Sequence, residues 1–346
     1  MATPPTGANA TLIKKSTEKK RATVVVQSEP DNADSDDGEE AEEVEAGREE
    51  DANLLEDLPD ETDGLQNLRL PRFGRHLKKL CLRQNLIATL DPEIFSALTA
   101  LEDLDLYDNK LKSIDNALDA CTSMIVLDLS FNLLRTIPGC LEHFPSLRMV
   151  YFVQNRISRI DGLSHLGASL RSLELGGNRI RKIENLDALE NLEELWLGKN
   201  KIAKLEGLQS LHRLKLLSIQ SNRITKLEGL EELHALEEFY ISHNGLVRIE
   251  GLENNRKLRV LDVGNNFIEK LEGIKHLSEL EELWASGNRI STIIDIEPQL
   301  AHLEAFETVY LEGNPLQAAE GSAYRRKIPL LLPRLKQLDA TYVKQM

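Results

Sequence analysis

Both tryptophans of this 346-residue chain, Trp196 and Trp284, stand four residues before an asparagine, as do three of its six tyrosines, Tyr151, Tyr240 and Tyr310. Asp105, Asp128, Glu174 and Asp262 occupy the same place, with Cys81 and Ser218 completing the set. Two residues further upstream, the equivalent place holds Asp103, Glu194, Glu238 and Glu282. Random placement would put fewer than one Trp or Tyr at eleven such positions; five are there. Strand propensity alone would spread aromatics over any strand position, whereas the positions flanking these are almost all Leu, Ile or Val. Rings interleaved with carboxylates perform recognition. Aromatic anchors at the centre of an interface contribute ~2 kcal/mol or more each, and carboxylates steer and orient a basic partner. Exposed on one face, such rings are costly unless something covers them. The pattern therefore predicts a protein-binding face for a basic, partly apolar partner.

Covalent chemistry has no comparable signal. The chain contains no P-loop, no GxSxG elbow, no HExxH and no CxxC pair. Its eight histidines are scattered, and the carboxylates of the LEGL and LEEL strings recur with the architecture. Cys81, Cys121 and Cys140 form no metal-type cluster and read as free thiols of a reducing compartment. We expect no enzyme, no metal and no cofactor.

The elements that carry these residues follow from a repeat. LEELWLGKNKIAKLEGLQS (192–210) is followed by LKLLSIQSNRITKLEGLEE (214–232) and LEEFYISHNGLVRIEGLEN (236–254). Asparagines 85, 109, 132, 155, 178, 200, 222, 244, 266, 288 and 314 mark the register, 22 to 26 residues apart. LxxLxLxxNxIxxIxxL at this period is the leucine-rich-repeat signature. In LxL both leucines point inward and the middle residue outward, because side chains alternate along a strand. The Asn supplies hydrogen bonds to turn backbone, and about 22 residues per coil leave room only for short 3₁₀ or helical returns. The expected fold is an α/β leucine-rich-repeat solenoid: a curved parallel sheet on the concave face, short returns on the convex face and a C-terminal cap.

Four regions are expected: a disordered tail (1–52), an N-terminal cap or degenerate first repeat (53–79), eleven repeats (80–316) and a C-terminal cap (317–346). In the last, Leu330, Leu331, Leu332, Leu335 and Leu338 would cover the final coil. Charge divides along the same lines. Residues 1–28 are basic through Lys14, Lys15, Lys19, Lys20 and Arg21, whereas residues 29–63 hold 18 Asp and Glu against Arg48 alone. The rest of the chain is nearly neutral, so composition offers no basic face for nucleic acid. No apolar run is long enough for a membrane span, and no secretory h-region opens the chain. Neither nucleic acid nor a membrane is expected as a partner.

At this resolution the sequence resembles one family. LCLRQNLI (80–87), LDLYDNKL (104–111), SFNLLR (130–135), LGKNKI (197–202), ISHNGL (241–246), GLENN (251–255), ETVYLEGNPLQ (307–317) and YRRK (324–327) look like the subunit 7 family of leucine-rich-repeat regulators of type-1 protein phosphatase. The resemblance implies a nuclear and cytoplasmic protein that binds the phosphatase catalytic subunit through its concave face. Activity, maturation or targeting of the enzyme would be controlled there, including in mitotic chromosome segregation. It also implies a ternary complex with a second phosphatase inhibitor. The family's contact positions carry over onto Asp128, Tyr151, Glu174, Trp196, Asp262, Glu282, Trp284 and Tyr310; Asp105 and Tyr240 join them from the outward pattern alone. Tyr151 and Trp196 stand where relatives are expected to hold Phe, and the first repeat departs from the family. Two other readings use the same architecture: a leucine-rich-repeat adaptor of a nuclear ribonucleoprotein, and a histone-binding acidic phosphoprotein.

Overall fold

The computed structural model describes residues 23–25, 70 and 74–344. Eleven three-residue strands, one per marker asparagine, run in parallel: β2 Lys79–Cys81, β3 Asp103–Asp105, β4 Val126–Asp128, β5 Met149–Tyr151, β6 Ser172–Glu174, β7 Glu194–Trp196, β8 Leu216–Ser218, β9 Glu238–Tyr240, β10 Val260–Asp262, β11 Glu282–Trp284 and β12 Thr308–Tyr310. They join strictly in chain order, and every pairing is in register, so that Leu195 faces Leu173 on one side and Leu217 on the other. The middle residue of every strand is buried, from Leu80 to Val309. Burying each such side chain contributes roughly 1.5–3 kcal/mol, and a one-residue slip would turn the whole row to water. That penalty locks the register.

The asparagines form a second ladder beside the strands. The Asn200 amide donates to Leu197 O (3.0 Å) in its own coil and to Leu175 O (2.9 Å) in the preceding one, while its oxygen accepts from Ile180 N (3.0 Å). Asn109 through Asn314 repeat this arrangement. The residue before each asparagine is left-handed in all eleven coils, from Gln84 (φ 59°) to Gly313 (φ 73°). Only three of the eleven are glycine. The returns contain two 3₁₀ turns, Gly139–His143 and Ser164–Leu166, and the short helices α1 Pro92–Phe95 and α2 Ile296–Leu300, with turns elsewhere.

Three features at the ends differ from the sequence reading. A strand, β1 Thr23–Val25, runs antiparallel to β2 inside the segment expected to be wholly disordered; the rest of 1–52 lies outside the described residues. The run TVVV is β-branched, and the first coil offers it an unpaired edge. Of the 53–79 cap, Leu70 and Leu77 are fully buried, and Lys79 already belongs to β2; residues 53–69 and 71–73 lie outside the described residues. At the other end, Leu332, Leu335 and Leu338 are buried as expected, but Leu330 is exposed. Helix α4 (Tyr324–Leu331) turns Tyr324 and Ile328 inward, which sends Leu330 to solvent. Helix α3 (Pro315–Glu320) runs across the 316/317 boundary. Two short strands, β13 Gln337–Leu338 and β14 Thr341–Tyr342, then close the sheet. Asp339, fully buried, takes over where the asparagine ladder ends, accepting from Leu311 N (2.9 Å), Glu312 N (3.0 Å) and the Tyr324 hydroxyl.

Candidate functional site: the outward column of the sheet

Register places nine of the ten candidate residues in one line with Ser218, while Glu282 stands at the other end of the Trp284 strand, between Val260 and Thr308. Asp105 faces Asp128, which faces Tyr151, then Glu174, Trp196, Ser218, Tyr240, Asp262, Trp284 and Tyr310 on successive strands. At about 4.8 Å per strand the line from Asp105 to Tyr310 spans on the order of 40 Å, a length suited to a folded domain.

The column divides into two chemical halves. Towards the N-terminus, carboxylates surround Tyr151. Burial raises the Glu174 carboxyl above its ordinary range, and the nearby charges of Asp128 and Glu194 raise it further. Asp128 is raised by burial as well, against hydrogen bonds from Ser130 that hold it down. The Tyr151 phenol is raised by burial and then by Glu174, Glu194 and Asp128. Among the described residues, cations pair with this half at its edge, where Lys79 lies 3.5 Å from Asp103 and Arg83 3.4 Å from Asp105. This half is a patch of clustered carboxylates with little compensating charge among the described residues.

Towards the C-terminus the column is aromatic. Trp284 meets Tyr240 at 6.1 Å and Tyr310 at 5.9 Å between ring centroids, both edge-on. Glu282 accepts from the Trp284 indole (2.9 Å) and Glu238 from the Tyr240 hydroxyl (2.6 Å), which fixes both rings. Gln337 donates to the Tyr310 hydroxyl (2.6 Å). Trp196 is held differently. Its neighbour Glu194 turns to Ser172 Oγ (3.0 Å), and the buried Trp196 indole N–H has no acceptor among the described residues. Between Trp196 and Tyr240 the small, buried Ser218 leaves a low point.

The three aspartates have local duties that the sequence reading missed. Asp105 accepts from Tyr107 N (3.0 Å), Asp128 from Ser130 N (2.8 Å) and Asp262 from Gly264 N (3.0 Å), each closing the turn that leaves its strand. Asp262 goes further. It is only 5% exposed, lies on the strand between Tyr240 and Trp284, and gives its second oxygen to Gln220 Nε2 (3.1 Å). Both its oxygens are occupied within the chain, so Asp262 supports the aromatic half from below. Conversely, one cluster escaped the sequence reading. Arg83 lies over the Tyr107 ring (4.6 Å), which packs on Phe131 (4.8 Å) at the rim beside Asp105. Phe131 is exposed and left-handed at φ 56°. A phenyl ring where the other repeats hold Gly, Gln, Asp, Lys, Ser, His or Asn was the available signal.

Cys121 and Cys140 are buried thiols, each pushed up to about 12 by desolvation, and Cys81 is partly exposed. Among the described residues, no group of three or more His, Cys, Asp or Glu could hold a metal ion. No described helix is long and apolar enough to cross a membrane.

The fold geometry has counterparts among solved structures. A leucine-rich-repeat protein of Leptospira interrogans superposes with a TM-score of 0.62 at 26% identity, over 81% of this chain and 80% of that one. Leucine-rich-repeat models match residues 75–124, 168–210 and 234–276. The chain has the leucine-rich-repeat fold. The InlJ functional domain of Listeria monocytogenes shares the same solenoid at 20% identity (TM-score 0.60; 78% of this chain, 54% of that one), a likeness of fold alone. Local stretches of the leucine-rich-repeat chain are similar to curated relatives. The protein phosphatase 1 regulatory subunit SDS22 of Schizosaccharomyces pombe is 48% identical over 54 residues, 16% of each chain. Its namesake in Saccharomyces cerevisiae is 44% identical over 82 residues, 21% of this chain and 24% of that one. Protein phosphatase 1 regulatory subunit 7 of Homo sapiens is 50% identical over 46 residues, 13% and 12%. The matched stretches thus span a quarter or less of those relatives' length.

Proposed function

We propose that this solenoid is a non-catalytic regulatory subunit that binds the catalytic subunit of a type-1 protein phosphatase through the outward column of its sheet. The observation that carries the reading is the in-register line of carboxylates and fixed rings from Asp105 to Tyr310. The local similarity to phosphatase 1 regulatory subunits supports the choice of partner. In this reading Asp128, Glu174 and Glu194 orient a basic surface of the enzyme, and Tyr151, Trp196, Tyr240, Trp284 and Tyr310 anchor its apolar parts. Control of the enzyme's activity, maturation or targeting, a role in mitotic chromosome segregation, a ternary complex with a second inhibitor, and residence in nucleus and cytoplasm belong to the same proposal.

The test is titration calorimetry of the full chain against a type-1 phosphatase catalytic subunit. The Trp196→Ala/Trp284→Ala variant should bind more than about tenfold more weakly, as two central aromatic anchors require, with an unchanged circular dichroism spectrum. Equal affinity of wild type and variant would remove the outward column as the binding face. A chain that binds ribonucleoprotein particles or histones and no phosphatase would replace the partner.

A further inference from the structure

We propose that a basic strip along one edge of the solenoid is the docking surface for the chain's own acidic segment, residues 31–63. The strip is independent of the outward column, and so is its test.

The near-neutral charge of the repeats conceals a segregation. The residue after the marker asparagine is Lys110, Arg156, Arg179, Lys201 and Arg223 in five of the coils from the second to the seventh. Their backbones are tied rung to rung: Arg179 N donates to Ile157 O, Lys201 N to Ile180 O and Arg223 N to Ile202 O, each at 2.8 Å. The side chains therefore rise from one line with rungs about 5 Å apart. Arg135, Arg181 and Lys199 flank the line, and from Phe131 to Thr225 the places directly around it hold no carboxylate. Among the described residues, none of these eight cations makes an ion pair.

The adjacent column shows that this absence is selective. Arg159, Lys182, Lys204 and Lys226, one turn further along each return, are all paired with Glu184, Glu206 or Glu228 at 3.2 to 4.0 Å. Counter-charges are supplied there and withheld one column over. Like charges 5 Å apart repel, and a polyanion laid along them relieves that repulsion.

The chain carries a polyanion of the right size in the right place. Residues 31–63 hold 17 Asp and Glu against Arg48, and the run ends seven residues before Leu70, which is fully buried in the first coil. At up to ~3.3 Å per residue the segment reaches roughly 100 Å. The strip crosses six rungs, the third coil holding Leu133 in the line, on the order of 25 Å from Lys110 to Arg223. Tethering gives the acidic run an effective concentration near the millimolar range, which favours it over any free anion.

Zero-length carbodiimide cross-linking of the full chain, read by mass spectrometry, tests the docking. The expected products join Lys110, Lys112, Lys199 or Lys201 to Asp and Glu of 31–63. They should fall about fivefold or more in 0.5 M salt, where screening is strong, and in an Arg156→Glu/Arg179→Glu/Arg223→Glu variant, whose changed residues are all exposed. Products confined to Lys14, Lys15, Lys19 and Lys20, or indifferent to charge reversal, would overturn the proposal. Heparin retention supplies the second arm. A full chain with Asp36, Asp37, Glu39, Glu40, Glu42, Glu43 and Glu45 changed to their amides should be retained at higher salt than wild type. Equal retention would mean that the strip stands open to an external polyanion, and the proposal would fall.

Discussion

At the scale of single residues, several side chains of this solenoid serve two purposes, and the measurable consequences differ. Asn200 binds backbone on three sides, including two contacts with the preceding coil. Asn200→Leu leaves those partly buried groups unpaired and should lower stability by about 1–2 kcal/mol, read as a fall in denaturant midpoint; an unchanged midpoint would refute the ladder as a fastener. Glu174 is the opposite case. Its folded pKa is raised by burial and by Asp128 and Glu194, so the folded state holds its proton more tightly than the unfolded chain does. The protonated form favours folding below the raised pKa, and that advantage is lost as pH rises through it. A basic partner wants the ionised form, so its affinity should weaken as pH falls through the same window. Glu174→Gln should raise the melting temperature at pH 7 and flatten the pH dependence of partner binding. A variant melting below wild type at pH 7 would show that Glu174 is held by a favourable contact instead.

At the scale of the element, the coil is set by a few backbone requirements. The glycine of LEGL is one. Gly229 has φ +70°, and a Cβ there would sit 2.8 Å from Leu205 O of the preceding coil. Gly229→Ala should therefore cost about 2 kcal/mol, seen as a lower melting temperature, whereas a neutral result would mean that the stack yields easily. The LxL strands, the asparagine register and the outward column were all legible in the sequence, because a period of 22 residues and an alternation of two are properties of the letters themselves. The left-handed residue before each asparagine was not. Gln, Asp, Phe, Lys, Ser, His and Asn hold that conformation as glycine does, since the asparagine ladder on one side and the strand on the other leave no alternative. The burial of Asp262 was not legible for a similar reason. An outward place on a strand predicts exposure, but Tyr240 and Trp284 lie close enough to bury it, and only the rings' positions reveal that.

At the scale of the whole molecule, charge is sorted by face: carboxylates on the outward column, unpaired cations along the asparagine-side edge, and pairs on the returns. Composition averages the three to almost nothing, which is why no basic face was visible in the sequence. The ends follow a different logic from the middle. Leu330 and Leu332 are two letters apart in one apolar run, yet Leu330 lies on the exposed side of helix α4 and Leu332, just past its end, is buried. Their fates depend on a helix docked across the stack, and periodicity stops at its border.

The asparagine ladder also has a direction. Each asparagine from Asn109 onward reaches back to the coil before it, and none reaches forward. On a ribosome, each newly emerged coil is therefore tied to the one before it, while its own Leu oxygen and Ile nitrogen stay unpaired until the next asparagine follows it out; the last coil's turn waits for Asp339. A chain halted partway keeps one unfinished coil at its tip, wherever the halt occurs.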